Sequence, residues 1–357
     1  GDRRRGQSRH WNIFMNVGLL TGGGDCPGLN AVIRAVVRRI TCAGGVCTGI
    51  LEGWRGLVRN LTLPLSVAET DGLVGLGGTI LGSSRTNPYR NPETDLAALR
   101  ENFTALALDA LIVVGGDDTL GVGVRLHNDF QLPVVGIPKT IDNDMVLADF
   151  SFGFDTAVNV VAEAVDRLRT TAESHRRIMV VETMGRQSGW IACFSGMAVG
   201  ADYILVPEVP IDLPHLIGVL TRRRASGKKF GLVIVAEGAR FPDQEPLALD
   251  LVPDPFGNLR FGGISEVIAE SITRETGIET RRVVLGHLQR GGPPTAADRV
   301  LATRMGLAAC QLVLQQRFGT VVTFRDGHIS AVALTPDAIA NRSLDLSYYD
   351  EAAAFFY

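Results

Sequence analysis

Short apolar runs alternate with amphipathic stretches along most of the chain. FMNVGLL (14–20), ALIVV (110–114), PVVGI (133–137), RIMVVE (177–182), YILVP (203–207), FGLVIVAE (230–237) and RVVLG (282–286) are continuous rather than alternating. Runs of that length suit strands buried on both faces of a parallel sheet. Between them, apolar residues recur at helical spacing in LNAVIRAVVRRITCAG, FDTAVNVVAEAVDRLRTTAESH, DLPHLIGVLTRRRASG, GGISEVIAESITRETG and AADRVLATRMGLAACQLVLQQ. NPETDLAALRENFTAL adds Asn91 as an N-cap, Pro92 at the first helical position and acids in the first turn. This strand-loop-helix rhythm predicts an α/β fold of two doubly wound lobes with mainly parallel sheets. The Pro-rich stretch Pro242–Asn258 reads as a mobile loop.

The loops that follow the strands carry the chemistry. In open α/β sheets, ligands bind beyond the carboxyl ends of the strands. Here those ends read TGGGDCPG, GGDDT, PKTIDND, ETMGRQSG, AEGAR and GHLQRGG. A glycine by itself usually means a turn; six such loops in register with the strand pattern point to a ligand site. Gly22, Gly23, Gly24 and Gly28 allow backbone N–H groups to approach an anion. The spacing is neither GxGxxG nor GxxxxGK[ST], so neither a dinucleotide fold nor a Walker-type site is indicated. Arg85, Lys139, Arg177, Arg186, Arg281, His287 and Arg290 add cations in the same kind of position. A lone arginine is commonly a surface ion pair, but arginine also matches phosphate with a bidentate fork.

Carboxylates cluster beside these cations: Asp117, Asp118, Asp142 and Asp144. Asp117 could give Mg²⁺ a hard oxygen ligand. Asp142 or Asp144 could take a proton from an acceptor hydroxyl, and Thr140 could contact the transferring phosphoryl. An Asx-rich turn alone would explain TIDND but not the lysine beside it. Together the groups describe a phosphotransferase acting on a phosphorylated substrate.

Composition narrows the class further. Hydrophobic residues make up 46% but aromatics only 6%, which favours an aliphatic core. The net charge of −3 gives no global field for nucleic acid. No apolar run approaches the roughly 20 residues that span a bilayer. Residues 1–12 are basic, are followed by no signal-peptide core, and read as a loose tail. Five cysteines without a CxxC pair suit reduced thiols and a cytoplasmic location.

The loops resemble those of the phosphofructokinase family from about Met15 to Arg317. TGGGDCPGLNAVIR, GGTILGSSR, PKTIDND, ETMGRQSGW, AEGAR, ETRRVVLGHLQRGG and DRVLATRMG occur in the family's order. The resemblance implies transfer of a phosphoryl group to the 1-hydroxyl of fructose 6-phosphate. It implies Asp142 as base, Thr140 as phosphoryl contact and Asp117 as the Mg²⁺ residue. Met184, Gly185, Arg186, Glu237, His287 and Arg290 would surround the sugar phosphate, and Gly24 and Arg85 would contact the donor. Arg177 and Arg281 would reach into a neighbouring subunit, making a homo-oligomer, dimer or tetramer. It also implies a donor domain over 13–153, rejoined by about 289–339, and a sugar-phosphate domain over 154–288 with about 340–357.

Two positions depart from the pattern of ATP-using members, which have glycine at Asp118 and often at Lys139. Members that resemble this chain at both use inorganic diphosphate. An aspartate there fills space and repels the α-phosphate of ATP, by roughly 4 kcal/mol at about 4 Å and an effective dielectric near 20. Thr86 stands where an aromatic neighbour of the donor arginine is common, and would stack poorly on adenine. The expectation is therefore a reversible diphosphate-dependent enzyme. The alternatives are an ATP-dependent phosphofructokinase, an NAD-kinase-like phosphotransferase and a non-catalytic sugar-phosphate sensor.

Overall fold

The computed structural model of the protein describes residues 14–249 and 253–357. The basic tail expected over 1–12 lies outside the described residues, as does 250–252 in the Pro-rich stretch. The strands are β1 (Asn16–Thr21), β2 (Val46–Ile50), β3 (Thr62–Leu65), β4 (Ala110–Gly115), β5 (Val134–Pro138), β6 (Ile178–Thr183), β7 (Tyr203–Leu205), β8 (Gly231–Ala236), β9 (Thr280–Val284), β10 (Thr320–Arg325) and β11 (His328–Ala333).

They form two sheets, one of seven strands in the order β11-β10-β5-β4-β1-β2-β3 and one of four in the order β7-β8-β6-β9. Every residue of β4, β5, β6 and β8 is buried, which is why these strands read as unbroken apolar runs. The pairings are parallel except at the outer edges of the larger sheet, where β3 and β11 run antiparallel. Pro64 sits in β3, an edge strand, where its missing N–H breaks no central ladder. The helix Leu29–Cys42 packs on Ala296–Leu314, joining an early and a late part of the chain. Among the described residues no helix is long and apolar enough to cross a membrane, and all five cysteines are free thiols.

The topology places two sets of loops on the site. From β1 the chain moves to one side of the larger sheet and later returns to β4 on the other. That reversal opens a crevice at the carboxyl ends of β1 and β4. The loops after β1, β4 and β5 enter it, carrying Gly23 and Gly24, Gly116, Asp117 and Asp118, and Lys139, Thr140, Asp142 and Asp144. Loops after β6, β8 and β9 bring Met184–Arg186, Glu237 and Gly286–Arg290 to an adjoining cavity.

Candidate active site

The acid pair is explained by the element it opens. A helix runs from Asp117 to Phe130, with Gly116 as its N-cap, so both carboxylates lie in its first turn. Unpaired N–H groups and the helix dipole favour negative charge there, which offsets the repulsion between neighbours. Asp117 accepts a hydrogen bond from Asn341 Nδ2 at 3.1 Å and lies 3.8 Å from the Arg186 guanidinium. Asp118 accepts one from Asn258 Nδ2 at 2.9 Å. Burial, aided by the charge of Asp117, pushes the Asp118 carboxyl up to about 6.

Opposite this turn, the Lys139 ammonium donates to the Gly24 carbonyl. The side chain is buried, which pulls its pKa below the usual lysine value. Arg290 Nη1 donates to the Asp25 carbonyl at 3.1 Å. A Cβ at Gly24 would stand 2.5 Å from that guanidinium, which would have to shift to admit a larger residue. These groups, with Thr119, Thr140, Asp142, Asp144 and Arg186, line a pocket of about 40 Å³.

The loop after β5 separates its two candidate bases. Thr140 Oγ1 donates to Asp144 Oδ1 at 2.9 Å and accepts from the Asp142 amide at 3.0 Å. Asp144 is therefore engaged; burial and the charges of Asp142 and Asp117 push its carboxyl up to about 7. Asp142 is only 4% exposed, and its Oδ1 is buried with no hydrogen-bond partner among the described residues. A buried, unpaired carboxylate oxygen is costly unless a ligand supplies a donor.

The loop after β6 is built on backbone strain. Arg186 has φ of 52°, a left-handed conformation uncommon for a side chain of this size. Glu237 Oε1 holds it by accepting the amides of Gly185 at 3.3 Å and Arg186 at 2.9 Å. Met184 N donates to Gln289 Oε1 at 3.2 Å. Burial opposes the charge of Arg186, but Asp142, Asp117, Asp144 and Asp118 outweigh it and raise its pKa. Arg85, Met184, Arg186, Glu237, His287 and Arg290 share a cavity of about 280 Å³ beside the acid pocket.

Burial pushes Glu237 up to about 7 from an ordinary 4.5. The folded chain therefore holds a proton that the unfolded chain releases, and this contribution falls as pH rises from about 4.5 to 7. Glu237→Gln, whose Oε1 can still accept both amides, should stabilise the free protein by about 2–3 kcal/mol at pH 8 and far less at pH 5. Thermal unfolding at both pH values checks this; a pH-independent difference contradicts it.

Arg177 and Arg281 do not join the other cations. Arg177 directly precedes β6 and Arg281 is the second residue of β9, so both lie at amino ends, not in carboxyl-end loops. Five residue steps of β6 separate Arg177's end from Met184's, about 17 Å at the usual rise. Both pair with Glu279, at 2.8 Å and 2.5 Å. Residues absent from the sequence reading also enter the site: Asn258, Asp254, Asn341 and Arg342. Arg342 donates to the carbonyls of Asn143 at 3.1 Å and Asp149 at 2.8 Å, and stacks on Trp190.

Mg²⁺ can be tested against these side chains. Among the described residues no three His, Cys, Asp or Glu groups form a metal cage. Asp117, partly exposed in a pocket it shares with Lys139, Arg186 and Arg290, offers the single carboxylate that suffices when Mg²⁺ arrives with phosphate oxygens and water.

Residues 16–313 match the family model described as phosphofructokinase. A pyrophosphate–fructose 6-phosphate 1-phosphotransferase of Streptomyces coelicolor is 48% identical over 344 residues, covering 96% of this chain and 100% of the relative. The ATP-dependent 6-phosphofructokinase 3 of the same organism is 45% identical over 340 residues, covering 95% and 99%. Overall similarity thus spans both donors. The crystal structure of Pichia pastoris phosphofructokinase in the T-state superposes with a TM-score of 0.82 at 32% identity, over 96% of this chain and 36% of that one.

Proposed function

The chain belongs to the phosphofructokinase family, and from that premise we propose that it is a diphosphate-dependent 6-phosphofructokinase. The carrying observation is that the Asp118 carboxylate and the buried Lys139 side chain line the same glycine-lined pocket. The aspartate occupies the space a nucleotide's α-phosphate needs and repels it. The lysine places a cation where the diphosphate bond breaks.

In the forward direction, the 1-hydroxyl oxygen of fructose 6-phosphate attacks the terminal phosphorus of diphosphate. The bond to the bridging oxygen breaks and orthophosphate leaves. Asp142, whose Oδ1 is otherwise unpaired, accepts the hydroxyl proton. Thr140 Oγ1 faces the transferring group beside it, and Arg186 and Lys139 balance the developing charge. Arg186, Glu237, His287 and Arg290 hold the sugar phosphate, with Met184 and Gly185 shaping its walls. Gly24 and Arg85 contact the donor. Asp117 would hold Mg²⁺, which supplies charge neutralisation to the bound phosphates.

Arg177 and Arg281 serve a second subunit's sugar-phosphate site in this reading, since they stand apart from the pocket of their own chain. Mixing inactive Arg177→Ala with inactive Asp142→Asn chains should restore activity, because some mixed oligomers hold an intact composite site. No restoration after subunit exchange is demonstrated means that each chain builds its own site.

Running the reaction backwards tests the donor. Fructose 1,6-bisphosphate and orthophosphate should yield diphosphate, because no nucleotide takes part in either direction of the proposed reaction. A reverse reaction that requires ADP instead of orthophosphate supports the ATP-dependent alternative.

A further inference from the structure

We propose that Asn258 and Asp254 are donor-specificity residues: one short turn holds both Asp118 and Arg85 and fixes how they face the phosphoryl donor. This rests on the diphosphate reading above. The turn lies in a hairpin-like excursion between β8 and the helix Ile264–Thr276, pinned by a bridge between Ala248 and Phe261 and by Leu249 N donating to the Arg260 carbonyl at 2.7 Å.

Asp254 organises the turn. Its Oδ1 accepts the amides of Phe256 at 2.9 Å and Asn258 at 3.0 Å, an Asx turn closed by Asp254 N donating to the Asn258 carbonyl at 3.0 Å. Its Oδ2 takes Arg85 Nη1 at 2.8 Å, and its side chain is only 11% exposed. Four residues later, the Asn258 amide reaches Asp118 Oδ2 at 2.9 Å. The excursion therefore touches the donor arginine with one residue and the excluding aspartate with another.

The chemistry sets what each contact does. Asn258 Nδ2 can only donate, so its hydrogen bond holds one carboxylate oxygen of Asp118 in place. That fixes the carboxylate's rotamer, so the repulsion on which donor choice depends has a defined direction. Asp254 does the same for Arg85, which lines the adjoining cavity of about 280 Å³.

The test is the ratio of the ATP inhibition constant to the diphosphate KM, measured in one assay with fructose 6-phosphate. The variants are wild type, Asn258→Ala, Asp118→Gly and the double variant, each with its unfolding temperature. Removing a hydrogen bond to a charged group should lower the ratio about tenfold in Asn258→Ala. In the Asp118→Gly background the same change should move it less than about twofold, because Asn258 acts through Asp118. Asn258→Leu keeps the bulk without the donor and adds no charge; it should lower the ratio about as far while keeping the unfolding temperature, which separates the effect from misfolding. If Asp118→Gly shifts the ratio and neither Asn258 variant does, the inference fails while the diphosphate reading stands. Equal shifts in both backgrounds also overturn it. A wild type that prefers ATP removes the reading and this inference together.

Discussion

Asp118→Gly is expected to open ATP use and weaken diphosphate use in the same protein. The substitution removes both bulk and charge from the first turn of the helix that follows β4. The full Coulomb repulsion, roughly 4 kcal/mol at about 4 Å, sets an upper limit near a thousandfold. Two features of the site lower it. Burial already pushes the Asp118 carboxyl up to about 6, and Arg186 lies nearby. A rise of about 10- to 100-fold in kcat/KM for ATP is therefore expected. Adding Lys139→Gly should depress diphosphate turnover further, because the leaving phosphate loses its cation. ATP use should stay modest throughout, since Thr86 offers no ring to an adenine. Kinetics of both donors across the three proteins check this; an unchanged donor ratio in Asp118→Gly contradicts it.

Asp142→Asn should cost about 10²–10⁴-fold in kcat with little change in the KM for fructose 6-phosphate. Asparagine keeps the shape and the backbone bond to Thr140 but cannot accept the hydroxyl proton. Asp144→Asn should cost much less in the chemical step, because Asp144 is engaged by Thr140 Oγ1. Near wild-type turnover in Asp142→Asn, with a large loss in Asp144→Asn, would exchange the two roles.

The sequence pattern reveals the central strands because they are buried on both faces, and burial on both faces writes itself as a continuous apolar run. The helices Phe154–His175 and Ile264–Thr276 are legible for the complementary reason: one buried stripe and one solvated face. The helix Asp117–Phe130 is less legible. Gly121 and Gly123 lower its propensity, yet a Cβ at Gly123 would stand 3.3 Å from Val134, so glycine there lets the helix lie close on β5. The hairpin of β10 and β11 carries a readable signal that the apolar runs overshadow. Asp326 and Gly327 both have positive φ and join Arg325 to its partner His328.

The site divides in the same way. Groups on loops directly after strands, such as Asp117, Lys139, Asp142 and Arg186, are readable because the strand pattern itself places them. Asn258, Asp254, Asn341 and Arg342 are not, because their contacts span long sequence separations from irregular segments. Asn341, for example, reaches Asp117 across 224 positions. The prolines of the stretch Pro242–Asn258 give no sign that Asp254 bonds Arg85 and Asn258 bonds Asp118.

The most direct test of the account is a coupled assay with fructose 6-phosphate and Mg²⁺, comparing diphosphate, ATP and ADP as donors. Diphosphate should support turnover, with ATP and ADP giving little or none even at millimolar concentration. Turnover with ATP that matches or exceeds that with diphosphate would contradict the role assigned to Asp118 and Lys139.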